Sequence, residues 1–495
     1  MAANEANQAS PAIPPVRRVR QGTMLAYGFG AVAYGVKDFC FSTFLLLFYN
    51  QVLGLPSAQV GFAIMCALLL DAFIDPAIGF LSDRTRGRWG RRHPWMYASA
   101  APIALGWLLL WNPPAWSHQA MLVWVFASAV LVRTAVSAYE VPSQALSPEL
   151  SADYDERTRI MAYRYLFGWA GGMAMLVASY SYFLAPEPGQ ETGLLNRQGY
   201  VGFALAGAVA MFVAILVSAL GTHREIKRLP RPEIERQSLG ANFRELRESV
   251  RNRAFLILMA AGICYYSAQG ISYALSNYLY AHVWGFRGAD FQWLGLILLI
   301  GVVGAFLIAP RVAKRTGKPV AGMGFMIAAA VLLTLPYWLR LAGLFPEPGN
   351  PVLVPLLLAI FTINATCSVS STILGASMMA DVVEHSEVET GRRSEGVFFA
   401  GAFFVQKCTS GLGIFVAGSI LAIAGFPEAA KPGSVPVETV DRLTILFAAL
   451  YLSLGFAAAF FYRRFPFGKD EHLERVERLA ASGVPAKAGA LEREG

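Results

Sequence analysis

The chain has 495 residues, of which 55% are hydrophobic and only 15% are charged, and its formal net charge is +8. A soluble domain carries about 25% charged residues, so this composition and a mean hydropathy of +0.46 exclude an ordinary soluble protein. The apolar segments, such as 201–221, are continuous and do not alternate as barrel strands do. They therefore predict membrane-spanning helices.

The chain begins with a polar segment, 1–23, that holds Arg17, Arg18 and Arg20 and lacks the apolar core of a signal peptide. We interpret it as a cytoplasmic tail. Twelve apolar stretches follow, and a charged segment separates the first six from the last six. The predicted organisation is a six-helix half at 24–221, a central cytoplasmic loop at 222–254, a second six-helix half at 255–462 and a cytoplasmic tail at 463–495.

The distribution of basic residues predicts the orientation of the spans. With a cytoplasmic N-terminus, the tails and loops on that side hold 32 of the 41 Lys and Arg residues. The loops on the other side hold Arg197, Arg287 and Lys431. This bias follows the positive-inside rule, and it explains the net charge without a nucleic-acid partner. Both termini are expected in the cytoplasm of a bacterium, and the protein in its inner membrane.

A weak internal repeat supports two halves. The first predicted helix ends in FYNQVLGLPSA and the seventh in LYAHVWGFRGA, which share the pattern Y-x-x-V-x-G-x-x-x-A. Two six-helix halves joined by a long cytoplasmic loop resemble the major facilitator architecture. That fold is an all-α membrane protein of twelve transmembrane helices, with its substrate site near mid-membrane between the halves.

Ionisable side chains within the predicted spans are the candidate functional residues, because each costs at least ~2.5–3.5 kcal/mol to insert. All but one belong to the N-terminal half. They are Lys37, Asp38, Asp71, Asp75, Arg133, Glu140, Arg164 and Lys407.

Asp71 and Asp75 are four residues apart, which places both carboxylates on one helix face about 6 Å apart. Two carboxylates in a low dielectric need a bound cation, a proton or a basic neighbour. Sodium prefers oxygen ligands, as hard cations do, so the pair predicts a monovalent cation site. The alternative is that Asp75, which precedes Pro76, only caps a break in the helix.

The fourth predicted helix carries Arg133, Ser137, Glu140 and Gln144 at spacings of four, three and four residues. This polar stripe lies on one face of an otherwise apolar helix and is expected to line a cavity. Hydrogen bonds between helices are an alternative for Ser137 and Gln144. If Arg133 faces away from the other ionisable residues of the spans, the acidic residues outnumber the basic ones by one. This excess negative charge leaves room for one cation or proton.

Five segments, spread over both halves, carry a recognisable family pattern. They are YGFGAVAYGVKDF (27–39), DAFIDPAIGFLSDRTRGRWGRRHPW (71–95), YEVPSQALSPEL (139–150), AYRYLFGWAGG (162–172) and MMADVVEHSEVETGRRSEGVFFAGAFFVQK (378–407). Together they resemble the glycoside–pentoside–hexuronide:cation symporters, the family that includes the melibiose permeases.

The resemblance implies a role for each matching residue. It implies that Asp71, Asp75 and the Ser137 hydroxyl bind the coupling cation and that Lys407 links this site to the second half. The substrate-binding residues that we predict on this basis are Asp38, Glu140 and Arg164, together with Lys37, Arg133 and Gln144. The implied gate, in which arginines latch the halves on the cytoplasmic side, consists of Asp83, Arg84, Arg88, Arg91 and Arg92.

Three departures from the family pattern affect the predicted ligands. Ile74 replaces an asparagine that is common in members that use sodium, so Na+ and H+ both stay open as the coupling ion. Gln144 replaces a tryptophan that stacks on sugar, the tenth predicted helix (353–380) has no tryptophan, and Arg133 adds a positive charge near Glu140. An anionic or amphiphilic substrate therefore has to be considered.

The sequence thus predicts a cation-coupled secondary symporter for a sugar or glycoside, including a uronide, and not an enzyme. The alternatives are a lysophospholipid transporter of the same fold, a proton-coupled exporter, and a receptor without turnover. We expect no cofactor beyond the coupling ion. The expected partners are the substrate, the cation and the bilayer, and the expected oligomeric state is a monomer.

Overall fold

We describe the chain from a computed structural model, which covers residues 18–151, 153–187, 192–228, 252–390, 395–431 and 433–467. Most of the predicted tails and central loop lies outside these ranges. Within them the chain forms twelve long helices: α1 Gln21–Val52, α2 Ser57–Arg84, α3 His93–Trp111, α4 His118–Leu150, α5 Tyr154–Ala178, α6 Arg197–His223, α7 Arg253–Tyr278, α8 Gly288–Thr316, α9 Lys318–Leu341, α10 Leu353–Thr390, α11 Glu395–Ala424 and α12 Val437–Arg463.

Ten of these helices are long and apolar enough to cross a membrane. The other two are α3 and α5. The α3 helix has a polar start and several aromatic residues, and α5 begins with the charged segment YDERTR. The helices match the twelve predicted apolar stretches, so the predicted all-α membrane fold is confirmed. The α4 and α10 helices continue well past their apolar stretches, to Leu150 and Thr390.

The helices run alternately up and down, so the start of α1 and the end of α12 lie on one side of the molecule. We call this side the terminal face and the other the opposite face. The helix pairs α2–α3, α4–α5, α8–α9 and α10–α11 are joined at the terminal face.

The internal repeat has a structural basis at the opposite face. The α1 helix ends in one π-helical turn, Phe48–Val52, and a second such turn, Leu279–Val283, directly follows α7. The glycine of the shared pattern follows each turn, and Gly54 and Gly285 have φ angles of 71° and 61°. Residues that carry a side chain rarely adopt this left-handed backbone conformation, so the pattern requires glycine there.

Close backbone contact holds α1 against α5. A side chain at Gly35 would overlap the carbonyl oxygen of Gly168 and the backbone of Gly172. Along the same contact, Gly28 lies against Tyr163 and Gly172 lies against Phe39. Arg164 is therefore level with the start of α1, where it contacts Tyr27, and Lys37 and Asp38 lie further towards the opposite face.

Hydrogen bonds close the opposite face between the two halves. The Tyr278 hydroxyl donates to Oδ1 of Asn50 (2.9 Å). The Gln51 side-chain amide donates to the Pro427 carbonyl (3.1 Å) and accepts from the Ala430 amide (2.8 Å). The structure is thus the conformation in which the opposite face is sealed.

The α2 and α11 helices form the longest seam between the halves. The Ser57 hydroxyl donates to the Gly418 carbonyl (2.9 Å) near the opposite face. Towards the middle, Gly61 approaches the backbone of Phe415 and Gly411 approaches Leu68. This packing brings the middle of α2 beside the middle of α11.

We expect Asn277→Ala to shift the protein towards a conformation in which the opposite face is open. Asn277 is fully buried on α7, donates to the Thr43 carbonyl of α1 (3.1 Å) and accepts from the Tyr180 hydroxyl that follows α5 (2.8 Å). Loss of these buried hydrogen bonds between the halves costs about 1–3 kcal/mol. Each 1.4 kcal/mol changes the ratio of the two conformations about tenfold.

Spin labels at Trp116→Cys and Leu344→Cys, both exposed at the opposite face on different halves, would measure this shift. The labels require a background without the five native cysteines. Double electron–electron resonance should show that a larger fraction of Asn277→Ala molecules has a long distance between the two labels. Asn350→Ala, which removes a hydrogen bond within one loop, should leave the distances unchanged. An unchanged distribution in Asn277→Ala would contradict the assigned seal.

Candidate functional site

Asp71 is the most heavily bonded carboxylate in the middle of the bundle, and it is only 2% exposed. Its Oδ2 accepts from Nε and Nη2 of Arg133 on α4, at 3.0 and 2.8 Å. Its Oδ1 accepts from the Ser137 hydroxyl at 3.0 Å. Nζ of Lys407, on α11 of the other half, also lies 2.8 Å from Oδ2.

Asp75 lies one turn further along α2 and has a simpler environment. Its Oδ2 lies 2.5 Å from Nζ of Lys407, while its buried Oδ1 has no hydrogen-bond partner among the described residues. Lys407 thus bridges both aspartates. Among the described residues, the ion pairs that join the two halves are those of Lys407.

The orientation of Arg133 changes the charge balance expected from the sequence. Arg133 does not face elsewhere; it is 5% exposed and lies against Asp71 and the ring of Phe41. Asp71 and Asp75 therefore face two basic groups, Arg133 and Lys407, and the four formal charges cancel. These four residues therefore carry no excess negative charge that would leave room for a cation.

A sodium ion does not fit the α2 pair in this arrangement. Both oxygens of Asp71 already accept hydrogen bonds, and Ile74 supplies no side-chain oxygen between the two aspartates. A sodium ion about 4 Å from the Arg133 guanidinium would be repelled by about 4 kcal/mol at an effective dielectric constant of 20.

Glu140 and Arg164 form a second buried pair nearer the terminal face. Nη2 of Arg164 lies 2.7 Å from Oε1 of Glu140, and Nη1 donates to the Ser143 hydroxyl at 2.9 Å. Gln144 donates to the same Glu140 oxygen at 2.9 Å. Oε2 of Glu140 is buried and has no partner within the described ranges. Any group that donates a hydrogen bond, a hydroxyl among them, would satisfy it.

The α1 helix contributes one buried and one partly exposed charged residue. Lys37 is buried, with Nζ 3.4 Å from Oδ1 of Asp38 and 4.6 Å from the centre of the Tyr34 ring. The side chain of Asp38 is 46% exposed. Asp38 is therefore the carboxylate of this region that a solute reaches most easily.

A group of uncharged polar residues lies between α7 and α10 in the second half. The Tyr265 hydroxyl lies 2.8 Å from the Thr372 hydroxyl and 3.1 Å from the Ser368 hydroxyl. Gln269 donates to Tyr265 at 2.6 Å and to Ser368 at 3.1 Å. We call Tyr265, Gln269, Ser368 and Thr372 the neutral cluster. Sequence reasoning missed it, although both helices place its members at i, i+4 spacing.

The predicted gate residues make their described contacts inside the N-terminal half. Arg92 lies 2.5 Å from Oδ1 of Asp83 and 3.2 Å from Glu149 at the end of α4. Arg91 lies 2.6 Å from the same Glu149 oxygen. Arg84 stacks on Phe80 within α2, and Arg88 is exposed. Their role in latching the two halves stays a prediction.

Comparisons with known proteins agree with this architecture. An uncharacterised symporter of Synechocystis is 28% identical and matches 93% of this chain and 96% of its own length. The isoprimeverose transporter of Lactiplantibacillus pentosus is 24% identical, with 93% of each chain covered. A glucuronide carrier protein homolog of Escherichia coli is 23% identical over 89% of this chain and 92% of its own.

Among solved structures, a D-xylose–proton symporter superposes with a TM-score of 0.62 at 14% identity, covering 90% of this chain and 97% of the other. This likeness shows the fold. Residues 26–469 match the family described as MFS/sugar transport protein. The chain is therefore a membrane transporter, not an enzyme, and it belongs to the MFS/sugar transport protein family.

Proposed function

We propose that this protein is a cation-coupled symporter that moves a sugar or glycoside across the bacterial inner membrane by alternating access. The bias of basic residues supports assigning the terminal face to the cytoplasm. Relatives that cover nearly the whole chain include a transporter of isoprimeverose and a homolog of a glucuronide carrier. Those names support a glycoside or uronide as the substrate class.

The observation that carries the proposal is the contact of Lys407 with both aspartates of α2. This lysine belongs to one half and the carboxylates belong to the other. A cation that binds at α2 competes with Lys407, so its binding changes how the halves are held together. Substrate that binds between the halves senses the same change, and this coupling is reciprocal.

The substrate site lies between two walls of different chemistry. The N-terminal half offers the free Glu140 oxygen, Gln144 and the exposed Asp38, which accept or donate to sugar hydroxyls. The second half offers the neutral cluster. A sugar presents many hydroxyl groups that both donate and accept, so it suits both walls.

Counterflow in proteoliposomes tests the substrate class directly. Vesicles loaded with unlabelled xylosides, glucosides, glucuronides or a lysophospholipid would be assayed for exchange with the corresponding labelled compound. We expect exchange with at least one glycoside or glucuronide and none with the lysophospholipid. Exchange with the lysophospholipid alone would replace this proposal with lipid transport, and no exchange with any solute would favour a receptor without turnover.

We expect Asp75→Asn to abolish uphill accumulation of the substrate while downhill exchange continues. The amide keeps the size of the side chain but removes the charge for which Lys407 and the coupling cation compete. The measurement compares concentrative uptake with counterflow in the same vesicles. Asp441→Asn removes a carboxylate paired with Arg340 at 2.7 Å, away from the middle of the membrane, and should retain both activities. Full accumulation by Asp75→Asn would exclude the proposed coupling.

We expect Tyr265→Phe to weaken substrate binding about two- to tenfold, because it removes the hydroxyl at the centre of the neutral cluster. One hydrogen bond contributes about 0.5–1.5 kcal/mol, and 1.4 kcal/mol corresponds to tenfold in affinity. Tyr266→Phe is the matched control, since Tyr266 is the next residue and touches the Tyr265 ring. Half-saturation of counterflow measures both. Equal values for the two variants would remove the neutral cluster from the substrate site.

A further inference from the structure

The Arg133 guanidinium lies against the carboxylate of Asp71, one of the two aspartates predicted to bind a cation. Nε and Nη2 both donate to Oδ2 of Asp71, and the arginine is almost completely buried. Ser137, the hydroxyl predicted to bind the cation, instead donates to Oδ1 of the same carboxylate. Both oxygens of Asp71 thus have partners within the protein.

The oxygens left for an ion are too few for sodium. Hard cations are held by several oxygen ligands. Every oxygen of Asp71 is already bonded, Ile74 offers none, and Oδ1 of Asp75 is the carboxylate oxygen of the pair that has no described partner. An ion there would lie beside Lys407 as well as Arg133, in a set of four charges that is already neutral.

We propose that Arg133 is a resident cation that takes the place of sodium in this carrier. It determines ion selectivity: the α2 pair does not bind sodium, and symport is independent of a sodium gradient. The role in coupling rests on the proposed function, whereas the exclusion of sodium from the site is a property of the folded protein alone.

The position of Arg133 also gives the two aspartates different roles. Arg133 and Asp71 lie in the same half, on α4 and α2, so their pair persists whichever way the halves move. Lys407 belongs to the other half. When it moves away, Asp71 keeps a partner and Asp75 loses its described one. Asp71 is therefore a positioning residue, and the exchange of partners is confined to Asp75.

Thermal unfolding of the purified protein in sodium chloride against equal choline chloride tests this proposal without a substrate. A ligand that binds only the native state raises the unfolding midpoint by an amount that grows with the logarithm of its concentration above the Kd. We expect no sodium-dependent rise in the wild-type protein. Arg133→Gln removes the resident charge and should acquire a rise that grows with sodium concentration, whereas Arg133→Lys should acquire none.

Two further variants keep the result interpretable. Arg340→Gln removes an arginine paired with Asp441 in the other half and should gain no sodium response. The double variant Asp71→Asn/Arg133→Gln removes one charge of each sign, so it should fold even if Arg133→Gln does not, and it should also show no response.

A sodium-dependent rise in the wild-type protein would overturn the proposal, and so would its absence in a folded Arg133→Gln. Either result leaves cation-coupled symport standing with another ion or site. If the protein accumulates no glycoside against a concentration gradient, the proposed function is contradicted. The sodium response of thermal unfolding is not affected by that result.

Discussion

The contact between Lys407 and the two aspartates of α2 is the interaction on which the rest of the structure depends. Charged groups in the middle of a bilayer are stable only when they are paired. Here the pairing crosses from one half of the molecule to the other. The charges that make these helices costly to insert are therefore also the groups that hold the two halves in register at mid-membrane.

The fold supplies the geometry that this contact requires. The glycines of the α2–α11 seam let the two backbones approach, which sets Lys407 opposite Asp71 and Asp75. The contact of Gly35 with Gly168 lets the backbones of α1 and α5 approach in the same way within the first half. Small residues thus determine where charges meet, as is usual where helices pack without a hydrophobic driving force.

Much of this arrangement follows from the sequence because it depends on one-dimensional patterns. Apolar stretches predict the helices, and charges inside them predict the central site. The pairing of Arg133 with Asp71 does not follow, since it depends on how α4 is rotated against α2. The neutral cluster was missed for a related reason: Tyr265, Gln269, Ser368 and Thr372 carry no charge, so nothing in an apolar helix marks them as unusual before α7 and α10 are placed together.

The sealed opposite face has a kinetic consequence. Along the α2–α11 seam, backbone meets backbone at Gly61 and Gly418, so at these two points the helices separate without a side chain leaving a pocket. Opening at these points requires the breaking of directional hydrogen bonds, such as that between Tyr278 and Asn50. The rate of turnover of such a carrier is therefore sensitive to a few polar groups far from the charged residues that bind the ion.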